Sequence, residues 1–182
     1  FQHRLRQAWK TAHANAILLR STTMSHGARI RLLQALVKPS LLYGAETWKL
    51  TPALLAKIIG AERAFSRWCM RLTNRSGTTG EEEGDIAAWV KWQAESAKKI
   101  AKTTHKQHTE RWHATALRLH WKWAGKAARN KGSLNHTAAT IHKKPIGRGR
   151  PQAHWAQLLR QFSTKELMGN ASSWEQLAES KV

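Results

Sequence analysis

The chain has 182 residues, with 31 Lys or Arg against 11 Asp or Glu, for a formal charge of +20. That length suits one domain or two small ones, and 41% hydrophobic content is enough to build a core. No apolar run approaches the roughly 18–20 residues of a bilayer span, a lone cysteine excludes an internal disulfide framework, and a lone aspartate, Asp85, argues against the clustered carboxylates of a metal-dependent polymerase or nuclease centre.

The first residues, Phe-Gln-His-Arg-Leu-Arg, include no initiator methionine and no apolar signal-peptide core. The expectation is an internal piece of a longer product, intracellular, in the nucleus or cytoplasm. Charge is unevenly placed. Residues 1–80 carry 13 basic and 2 acidic side chains, residues 81–95 carry five acids against Lys91, and residues 96–160 carry 15 basic side chains and only Glu110. Self-repulsion on this scale points to a polyanionic partner. Nucleic acid is the first choice, through counterion release, and an anionic membrane surface is the weaker alternative.

The elements read as helices throughout. Leu5, Trp9, Ala12, Ala16 and Leu19 keep one helical face. A break follows from Thr22 to Gly27. Ile30, Leu33 and Val37 mark a second helix, which Pro39 is expected to end or kink near Val37. Thr51-Pro52 is a helix start, with Thr as cap and Pro at the first helical position. From there Leu54, Ile58, Ala61, Phe65, Trp68 and Leu72 hold a 4, 3, 4, 3, 4 spacing. Cys69 sits beside this face as a small core residue.

Three glycines between Asn74 and Gly84 mark an acidic, glycine-rich linker. One long helix is then predicted from about Ile86 to Arg129, with Trp112, Ala116, Leu119, Trp123 and Ala127 on one stripe and Arg111, Arg118, Lys122, Lys126 and Arg129 beside it. Residues 131–150 read as a basic loop, and short helices are predicted over 151–182. The ten tryptophans show no true repeat. The fold class is therefore all-α. Its expected parts are a helical unit over 1–75, a linker over 76–85, a helical segment over 86–130, the loop, and the terminal helices.

No metal set emerges. His105, His108 and His113 spread widely around a helix, and Glu81-Glu82-Glu83-Gly84-Asp85 lacks the alternating ligands of a calcium loop. No Ser-His-Asp or Cys-His arrangement can be assembled, so no catalytic residue is assigned.

Residues 36–48 read Leu-Val-Lys-Pro-Ser-Leu-Leu-Tyr-Gly-Ala-Glu-Thr-Trp. This resembles the segment just after the polymerase palm in reverse transcriptases of non-LTR (LINE-type) retrotransposons, with Pro39, Leu42, Tyr43, Gly44, Glu46 and Trp48 carrying the motif. The following helix is similar too, at Leu54, Glu62, Arg63 and Arg71. Gly149-Arg150-Pro151, Trp155, Trp174 and Ala178 are loosely similar to the tail of such reading frames. Residues 76–147 match no part of the family.

The resemblance implies the thumb and post-thumb of an RNA-directed DNA polymerase, gripping an RNA–DNA or RNA template–primer duplex. The rest of the parent polymerase would be its other partner. The catalytic aspartates and their Mg2+ would lie in the palm, which this sequence lacks, so no cofactor is expected in this chain. The alternatives are a stand-alone all-α nucleic-acid-binding protein, a non-functional relic of a mobile element, or a loosely folded basic chain that binds membranes or partner helices.

A sequence-neutral clamp needs phosphate contacts. The candidates are Arg29, Arg31, Lys38, Lys57, Arg63, Arg67, Arg71 and Arg75, with Arg67, Arg71 and Arg75 forming one helical ridge by their spacing of four. Arg118, Lys122 and Lys126 are candidates farther on, and Lys143, Lys144, Arg148 and Arg150 form a basic arm. Gly44 is read as a turn, Tyr43 and Trp48 as packing on the third helix, and Tyr43 alternatively as a stacking surface for a base. Glu46 and Glu62 are expected to pair with arginines.

Overall fold

The structure, a computed structural model, describes residues 1–72, 83–130 and Gly132. The described elements, in chain order, are α1 (Gln2–Ala14), α2 (Ala16–Leu19), α3 (His26–Leu42), a 3-10 turn (Ala45–Thr47), α4 (Pro52–Met70), α5 (Glu83–Lys106) and α6 (Trp112–Arg129). No strand occurs among the described residues, and the protein is all-α. None of these helices is long and apolar enough to cross a membrane. The basic loop over 131–150 and the helices over 151–182 lie outside the described residues, apart from Gly132.

The starts follow the sequence. Ser25 caps α3 by accepting from the Ala28 N–H at 3.2 Å, and Thr51 caps α4 by accepting from the Leu54 N–H at 3.2 Å. Other features depart from the expectations. The first predicted helix breaks at Asn15, which takes the carbonyls of Thr11 and Ala12 and leaves α2 as one short turn. Helix α3 does not end near Val37 but runs on through Pro39 to Leu42. Pro39 cannot donate to the Ala35 carbonyl, but both residues are exposed, so water can take that carbonyl. The chain turns instead at Gly44, which adopts the left-handed conformation at φ 74° as its motif position suggested.

The third departure is the long helix, which is two helices. At its break the Thr109 N–H reaches the Thr104 carbonyl, the His108 N–H reaches the His105 carbonyl, and His108 takes φ 51°. This paired arrangement is a Schellman motif with histidine where glycine is usual. Helix α4 ends the same way. Leu72 bonds back to Arg67, Arg71 bonds back to Trp68, and Arg71 has φ 58°. The acidic linker is also shorter than expected, since α5 begins at Glu83.

The chain forms two units, with borders after Tyr43, within α4 and within α6. The first comprises Phe1–Tyr43 and Ala56–His113. Its centre is aromatic: Phe65 is fully buried, 4.0 Å from the Trp9 ring centroid and 5.6 Å from that of Trp112. Ile30, Leu33 and Val37 of α3 and Ile58 of α4 are buried around it, as their spacing predicts. Helices α1 and α5 both pack on α3. The second unit comprises Gly44–Leu55 and the chain from Ala114 onward. Ala124, Ala127 and Ala128 are buried there on one side of α6, with Trp121 and Trp123 packed against them.

Candidate nucleic-acid interface

Residues 1–72 contain twelve basic side chains and two acids, Glu46 and Glu62. Glu62 is buried and pairs with Arg111 at 2.9 Å, so its charge is taken up by that partner and not by the twelve cations. A cation can reach a phosphate only if the fold leaves it exposed, and α3, α4 and α5 sort the candidates accordingly.

Three of them hold the fold. Arg29 is buried and donates to the Cys69 carbonyl at 2.9 Å, clasping the last turn of α4. Its place inside the unit removes it from the phosphate set. Lys38 donates to the Glu110 carbonyl at 3.0 Å and lies 3.9 Å from that residue's carboxylate, pinning the connection between α5 and α6. Arg67 is half-buried, donates to Gln93 Oε1 at 2.6 Å and stacks 5.4 Å from the Trp92 ring centroid. Burial, and then the neighbouring charge of Arg63, hold the Arg67 guanidinium below its ordinary pKa.

Arg31, Lys57, Arg63 and Arg71 are exposed. The expected ridge of Arg67, Arg71 and Arg75 is interrupted at its second member: α4 ends at Met70 and Arg71 turns into the left-handed region. Arg75 lies outside the described residues, as do Lys143, Lys144, Arg148 and Arg150 of the basic arm. In the second unit Arg118, Lys122 and Lys126 are exposed along one side of α6.

A second row of cations was not among the sequence candidates. Lys98, Lys102 and Lys106 of α5 are all exposed and recur every four residues. The spacing is present in the sequence, but only the packing of α5 on α3 shows that all three face solvent. Arg6 and Lys10 of α1, also four apart, are exposed as well. The surplus of positive charge is felt at His26, which burial, then Arg29 and Lys99, hold below its ordinary pKa.

The motif residues also sort. Tyr43, read as packing on the third helix or as a stacking surface, is on the open side of the fold. It is 68% exposed, with the Arg4 guanidinium 4.3 Å from its ring centroid. Trp48 is half-buried. Glu46 contributes its backbone: the buried His120 donates Nδ1–H to the Glu46 carbonyl at 3.1 Å. Cys69 is fully buried and its thiol donates to the Leu19 carbonyl at 3.1 Å. Burial pushes its pKa up to about 11 against the opposing pull of Arg29.

Among the described residues no three His, Cys, Asp or Glu side chains gather as metal ligands. The described arrangement can neutralise phosphates and stack rings, and no acid–base or nucleophilic pair is assembled in it. No protein-family model, no curated protein and no solved structure matches the chain.

Proposed function

We propose that the chain is the thumb and post-thumb portion of a non-LTR retrotransposon reverse transcriptase, and that it binds the template–primer duplex through the phosphate backbone. The observation that carries this reading is the rows of exposed cations: Lys98, Lys102 and Lys106 on α5, Arg6 and Lys10 on α1, with Arg31, Lys57, Arg63 and Arg71 beside them in the same unit. Residues four apart on a helix lie about 6 Å apart along its axis. Such a row presents several positive charges to a phosphate backbone without reading a base. The Leu-Leu-Tyr-Gly-Ala-Glu-Thr-Trp segment supports the polymerase origin.

Synthesis would belong to the parent enzyme. Its Mg2+ needs clustered carboxylates, and a chain with one aspartate does not fit that role. The compartment that suits the reading is the nucleus or cytoplasm. A stand-alone nucleic-acid-binding protein is the second reading, favoured by the lysine row on α5, which lies outside the segments that resemble the family.

The test is fluorescence anisotropy of the full chain with an RNA–DNA hybrid, a single strand and phosphatidylserine vesicles across a salt series. The expected result is preferential hybrid binding with a log–log salt slope of several phosphates. Equal binding to all three would overturn the reading.

A further inference from the structure

Tyr43 is the chain's one tyrosine, and it stands 68% exposed at the C-terminal end of α3. An exposed ring of this size ordinarily buries one face. Here Arg4 of α1 covers one face, with its guanidinium carbon 4.3 Å from the centroid. Among the described residues the other rings with an arginine over them sit deeper: Trp68 under Arg20 and Trp92 under Arg67 are both half-buried. Tyr43 is thus, among the described residues, the arginine-stacked ring most open to solvent.

We propose that Tyr43, backed by Arg4, is a stacking platform for one unpaired nucleobase beside the bound duplex. The inference rests on the nucleic-acid reading above and narrows it to a site. Every base has a π-face, so stacking on an exposed aromatic tolerates any sequence, as a template reader requires. A guanidinium on the far side of the ring withdraws electron density from it, which favours an electron-rich base on the open face. Arg4 also brings a positive charge within reach of that nucleotide's own phosphate. Tyr43 is the C-cap residue of α3, so its backbone is placed by the helix end, which limits the ordering left when the base arrives.

The test uses the full chain and two RNA–DNA hybrids, one blunt and one with a two-nucleotide template overhang carrying 2-aminopurine. Tyr43→Ala and Tyr43→Phe are compared with the unaltered chain, with helical content and melting temperature as folding controls. The unaltered chain is expected to quench the 2-aminopurine and to bind the overhang hybrid about 5- to 150-fold more tightly than the blunt one, the range for one base–aromatic stack. Tyr43→Ala should remove both effects and leave blunt-hybrid affinity unchanged, while Tyr43→Phe should keep both. Equal affinity for the two hybrids in the unaltered chain, or quenching that survives Tyr43→Ala, overturns the platform and leaves the duplex reading standing. Failure to bind either hybrid overturns both.

Discussion

Glu62 in α4 and Arg111, just before α6, form an ion pair at 2.9 Å, with the Glu62 side chain 2% exposed and that of Arg111 33% exposed. The second Glu62 oxygen accepts the Trp112 backbone N–H at 3.4 Å, and the Trp112 indole donates to Gln34 Oε1 at 3.1 Å. One buried carboxylate therefore fixes where α6 begins. The two partners are unequal. Arg111→Gln strands a buried charge and should cost about 3 kcal/mol. Glu62→Gln keeps an acceptor for Trp112 and lets Arg111 turn toward water, and should cost about 1 kcal/mol. Urea unfolding of the two variants checks the order; equal losses would mean that the pair does not set the position of α6.

His108 and Arg71 occupy left-handed positions in Schellman motifs, at φ 51° and φ 58°. A side chain there is strained by about 1–2 kcal/mol relative to glycine. His108→Gly should stabilise the chain by about 1 kcal/mol after the added freedom of the unfolded state is subtracted. His108→Ala should give no gain. A glycine variant with an unchanged or lower urea midpoint would contradict this account of the break.

His120 is held near pKa 4, down from 6.5, because burial disfavours its charge more than the bond to the Glu46 carbonyl favours it. The folded chain then binds fewer protons than the unfolded chain between those two values. Stability is accordingly lost as the pH falls from about 6.5 toward 4 and levels off below. The contribution between pH 7 and pH 4.5 is about 2 kcal/mol. His120→Gln should flatten the urea-midpoint profile in that window by this amount, and an unaltered profile would refute the assignment.

Cys69 is fully buried and its thiol is raised to about 11, whereas the attacking species in alkylation is the thiolate. Iodoacetamide at pH 8 should label the native chain at least about 100-fold more slowly than the urea-unfolded chain, a factor that follows from a pKa displaced by two or more from the free value. Matching rates would mean that the α2–α4 contact opens readily.

The helices were legible in the sequence where local chemistry decides them. Thr51-Pro52 and the apolar face from Leu54 to Phe65 lie as the spacing predicts, because capping and periodicity act within a few residues. The breaks at Arg71 and His108 were hidden because the usual signal is glycine, and here the left-handed residue is a charged or aromatic one. The fate of the cations was hidden for a different reason. Arg29, Lys38 and Arg67 meet their partners across 40, 72 and 26 positions, so only the folded chain separates fold-holding charges from exposed ones.

The claim that exposed rather than total charge binds the duplex is tested most directly by the salt slope of hybrid binding, compared between the full chain and its Lys10→Gln, Lys98→Gln, Lys102→Gln, Lys106→Gln quadruple variant. Each phosphate that the variant no longer neutralises should reduce the log–log slope by about 1. The prediction is a slope shallower by about 3–4, with helical content retained. An unchanged slope and affinity would contradict the account and place the binding elsewhere in the chain.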